Sequence, residues 1–211
     1  MKFTRFGAVA AAAALLSLSV GVAAFADGDW GSNQESNLRA VSRVQFGFSS
    51  PLTESSTASV SAGQANATPL SLLKLARGLT ARVVSTSVAP ASDQMALWPN
   101  DRNPTHLIAC NEQGVSDPGV QRINIATGVA DTIVTGTSSC DGVRRTPWGS
   151  IIFSEEAGGG PNGGRAYELI NPLSTTGVSL DRTTGIFSGG VGATNLTARP
   201  ALGRLSFEGF A

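Results

Sequence analysis

Two adjacent carboxylates, Glu155 and Glu156, directly follow the short apolar run 150–154. The run predicts a buried strand, and neighbouring side chains on a strand point to opposite faces. One glutamate is therefore expected to face the interior, where an unpaired charge is costly. Arg144 and Arg145 are the nearby arginine partners, and a bound hard cation is the alternative because such ions prefer carboxylate oxygen. The stretch thus predicts a carboxylate at Glu155 or Glu156 that is paired with an arginine or bound to a cation.

The chain has only two cysteines, Cys110 and Cys140. In an oxidising compartment, an even pair most simply forms one disulfide. That bond would remove both thiolates from metal chemistry.

The first 26 residues predict a cleavable signal peptide. Lys2 and Arg5 precede an apolar run over 7–25, and the tripeptide 24–26 fits a small-x-small cleavage site. We therefore expect an exported protein, periplasmic or extracellular, without a membrane anchor after cleavage.

Composition limits the partners and the fold class. The chain carries 15 basic and 15 acidic residues, and it lacks a Lys/Arg run, so nucleic acid and anionic membrane are not expected partners. Residues 27–68 are rich in Ser, Thr and Ala and predict little regular structure, apart from an edge strand at 44–48. Residues 69–211 predict a β domain that opens with a short helix within 69–79.

Short strands with Gly, Pro, Asn or Asp between them recur from Ala81 onward. They are predicted at 81–88, 106–110, 120–125, 129–134, 150–154, 165–170 and 177–180. This spacing predicts an all-β fold, and the hairpin units favour a partial or open β-propeller. The strands suffice for two or three blades, so the chain is either an open β structure or part of a larger propeller.

Three segments carry a resemblance to a known family. They are the tetrapeptide Thr146-Pro147-Trp148-Gly149 followed by Glu155 and Glu156, the element 203–208 that ends in Glu208, and the run 107–112 that ends in Glu112. In order and spacing they resemble the PhoX-type alkaline phosphatases and related secreted proteins, over residues 81–211.

The resemblance implies a calcium-dependent phosphatase on an irregular six-bladed propeller with iron at its centre. By this analogy Glu156 and Glu208 are metal ligands and Cys140 binds the iron, with Glu155 and Glu112 as further candidate ligands. Metal ions can neutralise charge that develops on phosphoryl oxygens, and an arginine can hold the phosphate. The resemblance therefore implies Glu156, Arg144 and Arg145 as catalytic residues. A small phosphate ester is then the expected substrate.

Two other functions remain open at this stage. One is a non-catalytic propeller fragment that binds a ligand or partner, with its fold completed by oligomerisation or by that partner. The other is a lactonase-like hydrolase that uses carboxylate-bound calcium.

Overall fold

The computed structural model describes residues 30–47, 52 and 59–210. The chain divides into two compact units, Met1–Arg82 and Val83–Ala211, so the predicted boundary between residues 68 and 69 falls within the first. The predicted signal peptide, residues 1–26, lies outside the described residues.

The described part of the first unit is helical. Helix α1 spans Trp30–Phe46, helix α2 spans Ala62–Ala67, and a 3-10 turn follows at Pro69–Leu72. The prediction of little regular structure over 27–68 is wrong for the residues of α1 and α2. The edge strand predicted at 44–48 is also wrong, because residues 44–46 belong to α1; residue 48 lies outside the described residues. The helix predicted within 69–79 is reduced to the 3-10 turn.

Local interactions explain why α1 and α2 form. The α1 segment contains two Gln, two Arg, one Leu and one Ala, residue types that favour helices. Glu35 and Arg39 form an ion pair one turn apart. Ser61 caps α2, where its Oγ accepts a hydrogen bond from the Gln64 backbone N–H and the Gln64 side chain accepts one from the Ser61 N–H. These features can be recognised in the sequence, but the overall polarity of residues 27–68 favoured the prediction of little regular structure.

The described residues of the second unit form ten strands joined by turns. The strands are β1 Ser92–Trp98, β2 His106–Asn111, β3 Pro118–Asn124, β4 Ala130–Thr135, β5 Cys140–Arg145, β6 Ile151–Glu155, β7 Ala166–Leu169, β8 Val178–Asp181, β9 Ile186–Ser188 and β10 Leu196–Ala198. Short 3-10 turns lie at Pro172–Ser174, Ala193–Asn195 and Pro200–Leu202.

The strands pair into two sheets. The first has the order β1-β2-β3-β4-β8-β9 and the second β10-β7-β6-β5. Every pairing is antiparallel except that between β4 and β8. The predicted all-β class is confirmed for this unit, and the described strands do not close into a ring.

Both sheets contribute to one hydrophobic core. Ile108 and Val120 from the first sheet, with Phe153 and Tyr167 from the second, are fully buried in it. Strand β1 packs against β5, and β9 lies beside β10. The two sheets therefore meet at two separate edges, one of which carries the acidic residues described below.

The predicted hairpin at 120–134 is confirmed as β3 and β4. Its turn is held by Asn124, whose Oδ1 accepts hydrogen bonds from the backbone N–H groups of Ala126 and Thr127. The strand predicted at 81–88 is absent, because this segment is held by single contacts such as Ser85 Oγ–H to the Gly128 carbonyl, 2.5 Å, instead of a ladder. Strands β1 and β5 were not predicted.

Cys110 and Cys140 form the predicted disulfide, with Cα atoms 5.0 Å apart. The bond joins β2 to β5, which belong to different sheets. Both half-cystines are fully buried.

Removing this disulfide in a Cys110→Ala/Cys140→Ala variant is expected to lower the free energy of unfolding by about 3 kcal/mol, because the unfolded chain regains the freedom of a 30-residue loop. Urea denaturation measures the loss. Dithiothreitol should destabilise the wild-type protein to a similar degree and leave the double variant unchanged. Equal stability of oxidised and reduced wild type would contradict the prediction.

Candidate metal centre

Five carboxylates converge where β1 and β5 meet. They form two overlapping groups in which one oxygen per residue lies within 4.8 Å of the others: Asp93, Glu112 and Asp141 in the first, and Asp141, Glu156 and Glu208 in the second. Asp141 belongs to both groups. We call these five residues the acidic centre.

The disulfide positions Asp141 and Glu112 of the acidic centre. Asp141 follows Cys140 on β5, and Glu112 lies two residues after Cys110, just beyond β2. The Glu112 backbone N–H donates to the carbonyl of Ala91, 2.8 Å away, which holds this residue beside the start of β1. The covalent link between the sheets thus brings the two carboxylates together.

The C-terminal segment positions Glu156 and Glu208 of the acidic centre. Glu156 and Ser206 form a β-bridge, and the Phe207 N–H donates to the carbonyl of Glu155, 3.3 Å away. The Gln94 side chain donates to the Glu208 carbonyl. Close packing requires a glycine at 142, because a Cβ there would lie 3.0 Å from the Cα of Gly209.

Asp141 is only 3% exposed, whereas Asp93, Glu112 and Glu208 are exposed. Burial, followed by the neighbouring charge of Asp93, raises the pKa of Asp141 from 3.8 to about 7. Local desolvation, followed by the charges of Asp93 and Glu156, raises the pKa of Glu112, and the adjacent Glu156 raises that of Glu208. No described arginine forms an ion pair with any of the five carboxylates. The acidic centre is therefore a site of concentrated negative charge.

This charge predicts an unusual pH dependence for the metal-free protein. A raised pKa means that the folded state binds a proton more tightly than the unfolded state, so the stabilisation is complete below the unfolded pKa of 3.8 and is lost as the pH rises through about 7. The melting temperature in chelator should therefore fall between about pH 5 and about pH 8. Differential scanning calorimetry checks this, and Asp141→Asn should flatten the profile. A rising melting temperature over that interval would contradict it.

Glu155 does not belong to the acidic centre. It is fully buried, and its Oε1 accepts from Arg182 Nε at 2.6 Å and from the Ser138 backbone N–H at 2.9 Å. Its Oε2 accepts from the Tyr167 hydroxyl at 2.9 Å and the Arg165 backbone N–H at 3.2 Å. With all these donors in place, Glu155 is a structural carboxylate, which corrects its assignment as a metal ligand.

The structure places Arg144 and Arg145 away from both Glu155 and Glu156. Arg144 Nη1 donates to the Phe210 carbonyl at 3.2 Å, and thereby holds the segment that carries Glu208. Arg145 Nη2 lies 3.2 Å from Asp101 Oδ1. The predicted pairing with the two glutamates is wrong, because Arg182, far along the chain, neutralises Glu155.

The turn at 146–149 is remote from the acidic centre, at the opposite end of the β5–β6 hairpin. Trp148 is 73% exposed, and its Nε1–H donates to Glu168 Oε1 at 2.7 Å. Glu168 also accepts from Ser150 and from Arg199. The hydrogen bonds lower the pKa of Glu168 despite its burial. This motif fixes a turn and contributes no atom to the candidate site.

The donor set of the acidic centre consists of carboxylate oxygens. Cys140 is disulfide-bonded and has no thiolate, which corrects its assignment as an iron ligand. Hard oxygen donors suit calcium, whereas thiolate ligands select softer metals. The residues present therefore fit calcium and give iron no sulfur ligand.

Sequence reasoning found Glu112, Glu156 and Glu208 but missed Asp93 and Asp141. Both aspartates lie on strands that were not predicted, β1 and β5. One signal was present, since Asp141 adjoins a cysteine expected in a disulfide and is followed by the small residues Gly142 and Val143. A buried strand with an aspartate in it requires a partner or a cation.

Comparison with family models, curated proteins and solved structures gives no match to this chain. Among the helices of the described ranges, none combines the length and the apolar character needed to span a bilayer.

Proposed function

We propose that this chain is an exported β protein that binds calcium at the acidic centre. The observation that carries the proposal is Asp141, a carboxylate 3% exposed that is shared by two carboxylate groups. Burying a carboxylate among other carboxylates is unfavourable unless a proton or a cation is bound. A divalent ion removes this cost for the whole group.

The arrangement suits calcium in number and in flexibility. Calcium takes about 6–8 oxygen ligands and tolerates irregular geometry. Asp93, Glu112 and Glu208 are exposed, which leaves room for water or a ligand oxygen beside the ion. The two overlapping groups accommodate up to two ions, with Asp141 common to both.

Isothermal titration of chelator-treated protein with calcium tests the proposal. We expect one or two ions per chain with a Kd between about 10⁻⁶ and 10⁻³ M, weaker binding of magnesium, and a higher melting temperature with calcium. Absence of both heat and thermal stabilisation at 10 mM calcium would refute calcium binding.

We further propose that the bound calcium takes part in the hydrolysis of a phosphate ester, in keeping with the PhoX-like segments. A cavity of about 420 Å³ lined by Gln94, Asp101, Arg144 and Arg145 lies along β1 and β5. Gln94 directly follows Asp93, so the cavity begins next to the acidic centre. When bound, calcium would offset negative charge on phosphoryl oxygens.

Hydrolysis of p-nitrophenyl phosphate with calcium and with chelator tests this second step. We expect turnover in the presence of calcium and loss of turnover in chelator. Calcium binding without turnover would contradict the phosphatase proposal and support the non-catalytic binding function. Hydrolysis of a lactone in place of the phosphate ester would favour the lactonase alternative.

We also propose that the two sheets contain two propeller blades. Strands β1–β4 form one four-stranded antiparallel unit, and β5, β6, β7 and β10 form another. Four antiparallel strands are the size of one blade, and full propellers have about 4–8 of them. A second copy of the chain could supply further blades and so complete the propeller. Light scattering after size exclusion tests this, and a strictly monomeric protein would contradict it.

A further inference from the structure

A second cavity lies at the edge of the fold where β9 and β10 are neighbours, whereas the acidic centre lies where β1 meets β5. Its volume is about 580 Å³, within the usual range of small-molecule sites. The walls are both apolar and hydroxyl-bearing, and a single charged side chain, Arg165, contributes to them. The wall residues used below are Ile186, Phe187, Leu196, Thr194 and Thr197.

The Arg165 guanidinium is only partly satisfied by the protein. Its Nη2 donates to the Thr183 carbonyl at 2.9 Å, and the group lies against Gly185, where a Cβ would be 3.0 Å from Nη1. Its Nε is shielded from solvent and has no hydrogen-bond partner among the described residues. A shielded donor without an acceptor is unfavourable, so the described residues leave part of the hydrogen-bonding capacity of this guanidinium unused.

The nearest carboxylate is already neutralised. Glu155 accepts the Arg165 backbone N–H at 3.2 Å, but its ion pair is with Arg182, at 2.6 Å. None of the described carboxylates forms an ion pair with the Arg165 side chain. Its positive charge therefore remains available to a ligand in the cavity.

We propose that this cavity binds a small organic anion with one oxyanion group and a short apolar body. The oxyanion accepts from Arg165, with Thr194 and Thr197 as further hydroxyl donors, because a guanidinium and an oxyanion form charge-assisted hydrogen bonds. The apolar body lies against Phe187 and Leu196. This binding is independent of calcium.

Titration of ¹⁵N-labelled protein with hexanoate, followed by NMR, tests the proposal. Hexanoate should shift signals of β9, β10 and the Arg165 Nε–H. Neutral hexan-1-ol lacks the charge and should bind at least about tenfold more weakly than hexanoate. Arg165→Gln should weaken hexanoate binding about tenfold. No shift of these signals, or equal affinity for hexanoate in wild type and Arg165→Gln, would overturn the proposal.

A pair of surface variants gives a test that does not depend on replacing Arg165. Ile186, 62% exposed, lines the cavity, whereas Ile170, 49% exposed, does not. Ile186→Asp should weaken hexanoate binding by charge repulsion, and Ile170→Asp should not. Asp141→Asn should bind hexanoate like the wild type, which separates this site from the acidic centre. Equal loss in both isoleucine variants, or loss in Asp141→Asn, would count against the cavity.

Discussion

Replacement of Asp141 by asparagine is expected to lower calcium affinity by about 100-fold or more, because the ion loses a charged ligand common to both carboxylate groups. The same change should raise the melting temperature of the calcium-free protein at pH 8. There the buried carboxylate, whose pKa is raised to about 7, is ionised among other acids. The variant therefore gains stability without calcium and loses the stabilisation that calcium gives. Thermal unfolding in chelator and in calcium measures both effects.

Two companion variants make this result specific. Asp117 is exposed and lies outside both carboxylate groups, so Asp117→Asn should bind calcium like the wild type. Glu208 belongs to the second group alone, so Glu208→Gln should weaken one binding event and spare the other. If Asp141→Asn and Asp117→Asn bound calcium equally well, the acidic centre would not be the calcium site.

The sequence predicted the orientation of the glutamate pair better than it predicted their partners. Alternation along β6 follows from strand geometry alone, and Glu155 is indeed buried while Glu156 is partly exposed. The partner of Glu155 is Arg182, which follows β8 in the other sheet. Proximity along the chain favoured Arg144 and Arg145, but a tertiary contact between sheets decided the pairing.

The acidic centre illustrates the same limit. Its members come from both sheets and from the C-terminal segment, and no two of them are adjacent in sequence. Strand β5 contains Asp141, Gly142, Arg144 and Arg145, which give it no apolar alternation, and a register shift separates Cys140 from Val143. A period of two therefore could not reveal this strand. Hairpins such as β3–β4 were predictable because their turn chemistry is local.

Replacement of Arg182 by methionine is expected to lower the free energy of unfolding by about 3–5 kcal/mol, the usual cost of removing one partner from a buried ion pair. Glu155 would keep its hydrogen bonds from Tyr167 and two backbone N–H groups but would lose the positive charge 2.6 Å away. The buried carboxylate would then carry an uncompensated negative charge.

Urea denaturation of Arg182→Met measures the loss of stability, with Arg204→Met as the matched control. Arg204 Nη1 donates to the Gly163 carbonyl at 3.2 Å and forms no described ion pair, so its loss should cost about 1 kcal/mol or less. Adding Glu155→Gln to Arg182→Met should recover part of the stability, because no buried charge then remains. The folded Arg182→Met protein should bind calcium like the wild type. Wild-type stability of Arg182→Met would contradict the prediction.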